Sequence, residues 1–111
     1  MVQAKTGKAL SDGIRRQRAK GLEMLRGVEQ QISNRGVGDP EAVYKIAQAY
    51  AALGDVPSGL RTLRTSVENG FFSFPYFTAD PLLNPLRGSE EFTGLMALAR
   101  KLHEAFRRSF F

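Results

Sequence analysis

Between about Ala9 and Asn34 the apolar residues Ile14, Leu22, Leu25, Val28 and Ile32 fall at helical spacing and share one side of a helix. Three glycines interrupt the same stretch, Gly13, Gly21 and Gly27, and each disfavours a helix interior by about 1 kcal/mol relative to alanine. This first helix, 9–34, therefore depends on packing. Residues 1–8 show no period and are expected to form a flexible tail. The run Asn34-Arg35-Gly36-Val37-Gly38-Asp39-Pro40 then stops one helix and starts the next: Gly36 suits a left-handed cap, Asp39 an N-cap and Pro40 a first helical position.

Residues 40–53 predict a helix with Val43, Ile46, Ala47, Tyr50 and Leu53 turned inward, ended by Gly54-Asp55. A second helix follows from Pro57 to Asn69, with Leu60, Leu63, Ser66 and Val67 inward and Gly70 beyond its end. So short a connection makes the two antiparallel neighbours. The helical period is lost in 71–88, where prolines and aromatics predominate and Asp80-Pro81 and Asn84-Pro85 read as turn openers that could flank one helical turn. A last helix, 89–109, starts at a Ser89 cap with Glu90 and Glu91 in its first turn. Phe92, Leu95, Met96, Ala99, Leu102, Phe106 and Phe110 form its apolar face. The pattern predicts an all-α chain folded as one helical domain over 9–111.

Composition narrows the chemistry. With no cysteine and a single histidine, His103, thiolate and histidine-cluster metal sites lack ligands. No metal or other cofactor is expected. There is no GxxxxGK(S/T), GxGxxG or GxSxG motif, so phosphate-loop and nucleophile-elbow chemistry has no support. His103 reads as a packed or solvated side chain in preference to a general base. Asp39, Asp80, Glu90 and Glu91 read as capping groups, and the chain is expected not to be an enzyme. No apolar run is long enough to span a membrane, and MVQAKTGKALSDG lacks a signal-peptide core, so a cytoplasmic protein is expected. The net charge of +5 is uneven: residues 1–26 hold seven Lys and Arg against two acids, and 27–98 hold five against eight. The densest basic cluster is Arg15, Arg16, Arg18 and Lys20. It reads mainly as a solvated face, with contact to phosphate or to an acidic partner as the functional alternative.

The segment 40–70 resembles a tetratricopeptide repeat, a helix-turn-helix unit of about 34 residues. Ala47 and Gly59 stand where that family places small residues so that its two helices touch. Tyr50, the turn glycine Gly54, and Leu63 also follow the unit. Val43 stands where the family favours tryptophan, Ser66 where it favours alanine, and Phe71 near the usual proline. Gly21, Leu25 and Val28 share the spacing of Gly59, Leu63 and Ser66, as half of another unit would. Gly70-Phe71, Asp80-Pro81, Leu83, Leu86-Arg87, Glu91-Phe92 and Leu95 are similar in order to the stretch that closes bacterial arrays of this repeat, often within signalling proteins.

The resemblance implies an α-α superhelix fragment, a repeat followed by a C-terminal capping helix, and a non-catalytic protein-protein interaction or scaffold role. The groove face would be Glu41, Tyr44, Lys45, Gln48 and Ala51, taking a protein or peptide partner. About three such units are normally needed for stability, so either the first helix or a second copy in a homodimer is expected to cover the open side. The alternative function is a basic helical nucleic-acid binder acting through Arg15, Arg16, Arg18 and Lys20. Stacking of single strands on Phe71, Phe72, Phe74, Tyr76 and Phe77 is the less favoured reading of those aromatics, which more often fold back over helix ends.

Overall fold

The computed structural model describes residues 2–36 and 38–110, with side chains placed over 13–36 and 38–109. The chain is all-α, with no strand among the described residues. Its helices are α1 (Val2–Arg35), α2 (Pro40–Ala52), α3 (Val56–Glu68), α4 (Phe74–Ala79), a 3₁₀ helix (Pro81–Leu86) and α5 (Glu90–Phe110). None is long and apolar enough to cross a membrane. Two boundaries differ from the sequence reading. Helical backbone begins at Val2 instead of near Ala9, and the aromatic stretch expected as loop contains α4 as well as the turn of helix between its Asp-Pro and Asn-Pro pairs.

The punctuation residues act as their chemistry requires. Asp39 Oδ1 accepts the N–H groups of Glu41 and Ala42 at 3.0 and 3.3 Å, satisfying donors that the first turn of α2 leaves open. Gly54, at φ +78°, reverses the chain, and Asp55 then caps α3 through the Ser58 N–H (3.2 Å) and hydroxyl (2.8 Å). Ser89 Oγ accepts the Glu91 N–H at 3.1 Å at the start of α5.

α2 is covered on two sides. Toward α3, α4, the 3₁₀ helix and α5 it presents Tyr44, Ala47 and Ala51, which join Leu60, Leu63, Val67, Phe77, Leu83, Leu86, Phe92, Leu95 and Ala99 in the main core. Toward α1 it presents Ile46 and Tyr50, which pack with Leu22 and half-buried Leu25, Ile32 and Leu53. The expected approach of α2 and α3 is present. A Cβ on Gly59 would lie 3.6 Å from the Ala47 carbonyl oxygen, 3.6 Å from the Ala51 nitrogen and 3.0 Å from Leu86 Cδ2. Ser66 donates its hydroxyl to the Pro40 carbonyl at 2.7 Å, a bond that alanine could not make.

α1 is anchored between Arg18 and Ile32. A Cβ on Gly21 would meet Leu53 Cδ1 at 3.1 Å, and Arg18 Nε donates to the Leu53 carbonyl at 2.6 Å, capping the C-terminal end of α2. Glu29 takes a two-pronged bond from Arg61 (3.0 and 2.8 Å) and the Tyr50 hydroxyl at 2.9 Å. Ile14 and Val28, expected on the packed side, are 65% and 44% exposed, because the hairpin is too short to reach Ile14 and α1 turns the Leu22, Leu25 and Glu29 side toward it. The molecule is elongated: its radius of gyration is 17.1 Å, against about 13 Å for a compact chain of this length.

Candidate partner-binding surface

The five residues expected to line a groove on α2 do not share one fate. Glu41 and Lys45 are exposed and Gln48 is half-buried, whereas Tyr44 and Ala51 are 2% and 1% exposed. Ala51 belongs to the core and cannot meet a partner, which corrects the sequence expectation for it and for most of Tyr44. The physical reason is the segment after Gly70. It folds back so that α4 and the 3₁₀ helix lie along the α2 face that a neighbouring unit or ligand would otherwise cover. Phe77, fully buried, stacks on Tyr44 at 5.2 Å between ring centroids, and Phe71 and Tyr76 close around the same ring at 4.9 and 5.8 Å.

A polar lock pins this cap. The Tyr44 hydroxyl and Gln48 Nε2 both donate to Asp80 Oδ2, the latter at 2.7 Å, while the Leu82 N–H donates to Asp80 Oδ1 at 2.9 Å. Arg87 adds bonds to the Asp80 and Phe77 carbonyls at 2.6 and 2.8 Å, with its guanidinium 5.4 Å from the Phe92 ring centre. Burial is the largest single influence on Asp80 and acts to raise its pKa. The bonds from Tyr44, Gln48 and Leu82 with the Arg87 charge outweigh it, so the carboxyl stays below its ordinary range. The Tyr44 phenol is pushed well up, first by burial and then by the carboxylate beside it. Such a group holds its proton and serves as a hydrogen-bond donor.

What survives of the groove is a hollow of about 280 Å³ lined by Glu41, Tyr44, Lys45, Gln48, Phe71, Ser73 and Tyr76. Its lining includes one acid, one base and the half-exposed Tyr76 ring. Sequence reasoning missed Tyr76 and Asp80 as partners of this face. Asp80 was legible as a cap, but its contact with Tyr44 spans 36 positions and leaves no local signal.

The basic cluster is divided. Arg16 and Lys20, four residues apart, share one side of α1 and, like Arg15, are exposed without an ion-pair partner among the described side chains. Arg18 is instead committed to Leu53. On the docked side of α1, hydrogen bonding from Arg61 is the largest influence on Glu29 and lowers its pKa despite partial burial. Tyr50 is pushed up to about 12, first by burial and then by its bond to Glu29. His103 is half-buried on α5, and no group of three or more metal-ligating side chains forms among the described residues. Phe71 and Phe77 pack on Tyr44 and the Phe74 ring centre lies 5.9 Å from the Arg100 guanidinium, while Tyr76 is half-exposed; Phe72 and Phe106 pair edge to face at 6.1 Å. Comparison with protein-family models, with curated proteins and with solved structures finds no match.

Proposed function

We propose that this chain is a non-catalytic, tetratricopeptide-like protein-interaction module of the cytoplasm that takes a short peptide segment at the α2 hollow. The observation that carries the reading is the hollow itself, with Lys45, Glu41 and Tyr76 in its lining on a hairpin whose remaining face is covered by its own cap. Lys45 supplies a charge for a carboxylate and Tyr76 an apolar surface that loses little freedom on binding. Reading it as the repeat-and-cap end of a bacterial signalling scaffold rests on the sequence resemblance alone. Selection from a random peptide library with the wild-type chain and with Lys45→Glu and Tyr76→Ala tests the reading. Peptides enriched by the wild type and lost by both variants support it. No enrichment, or the same peptides from all three proteins, would overturn it.

A second reading keeps Arg15, Arg16 and Lys20 as phosphate contacts, favoured by their exposure on a helix that extends beyond its anchor. Binding of duplex or single-stranded DNA that weakens steeply between two salt concentrations would favour it over the peptide reading. Salt-insensitive or absent binding would eliminate it.

A further inference from the structure

A second cavity, of about 480 Å³, opens between residues 70–73 and the C-terminal half of α5. That volume lies in the range of about 300 to 1,000 Å³ typical of small-molecule sites. Its apolar walls are Phe71, Phe72 and Phe106, and its polar groups are Ser73, His103 and Arg107. The Ser73 side chain makes no capping bond at the start of α4, although it precedes that helix. Neither His103 nor Arg107 has a hydrogen-bond or ion-pair partner among the described residues. Among the described residues, no carboxylate lines the cavity. Glu104, the acid on this part of α5, is outside the lining and is engaged by Arg100 at 3.1 Å.

We propose that this cavity binds a small aromatic carboxylate. The ring would lie against Phe72 and Phe106, which pair edge to face in the cavity lining. The carboxylate, which only accepts hydrogen bonds, matches a guanidinium that only donates, a hydroxyl that can donate, and an imidazole with at least one N–H. A cationic ligand would bring like charge to Arg107. A neutral aromatic would use the walls and leave the cation unanswered. The two hollows share Phe71 and Ser73, but Arg107, His103 and Phe106, which carry this proposal, are not part of the α2 hollow, so it does not rest on the peptide reading.

The test is a titration of the isotope-labelled chain followed by amide chemical shifts, with naphthoate as the probe and naphthalenemethanol as its uncharged counterpart. Saturable shifts confined to residues 70–73 and 103–107 are expected with naphthoate. Arg107→Gln should weaken naphthoate about three- to fivefold, the scale of a solvent-exposed ion pair, and leave the alcohol unchanged. Phe106→Ala should weaken both. Non-saturating or scattered shifts, or an Arg107→Gln variant that treats acid and alcohol alike, would overturn the proposal.

Discussion

Replacing Asp80 with alanine tests whether the chain covers its own α2 face by a specific lock or by general apolar collapse. The substitution removes the acceptor used by the Tyr44 hydroxyl, the Gln48 amide and the Leu82 N–H. Tyr44 is 2% exposed, so water cannot replace its lost acceptor, and an unsatisfied buried donor costs about 1 to 3 kcal/mol. Gln48 is half-buried and can turn to solvent, adding little. Asp80→Ala should therefore destabilise the fold by about 2 to 4 kcal/mol in urea unfolding followed by far-UV circular dichroism. Tyr44→Phe removes the donor while leaving Asp80 with Gln48 and Leu82, and should cost only about 1 kcal/mol. Because the alanine no longer leaves a stranded hydroxyl in that background, the double variant should recover about 1 kcal/mol or more of the sum. Additive losses, or an Asp80→Ala change below about 0.5 kcal/mol, would refute the lock.

Gly59→Leu forces a side chain into the contact with Ala47, Ala51 and Leu86, and a loss of about 3 kcal/mol or a failure to fold is expected from thermal melts; wild-type stability would contradict the close approach. Acid should weaken the protein through Glu29, Asp55 and Asp80, all held below their ordinary pKa values. Their contribution is complete above the unfolded value of about 4 and is lost as pH falls through the folded values, so urea midpoints should be flat from about pH 7 to 5 and drop below about 4. An Asp80→Asn variant should show a shallower drop. Self-association through the exposed Ile14 and Met24 of α1 predicts a molar mass that rises from 12.3 kDa with concentration in light scattering and stays there in Ile14→Glu/Met24→Glu; a constant wild-type mass would remove the dimer.

The number and order of the principal helices were set locally, because their signals are short-range. Asp39, Gly54, Asp55 and Ser89 act on groups within a few residues, and the apolar spacing of Leu60, Leu63 and Val67 defines one face whatever packs on it. Even the meeting of Ala47 with Gly59 could be anticipated, since a connection of a few residues leaves two helices little choice but to lie side by side. Which face of α2 remains open could not be read this way. Tyr44, Gln48 and Ala51 have the pattern of a groove, and it is the return of α4 and the 3₁₀ helix, bringing Phe77 and Asp80 onto them from more than thirty positions away, that turns most of the groove into core. Arg18 makes the same point on the other side: beside Arg15 and Arg16 it reads as one more exposed charge, and only the docking of α1 delivers it to the Leu53 carbonyl. Caps and periods are properties of a few consecutive residues, whereas burial depends on which distant segment arrives, and that is decided by the packing of the whole chain.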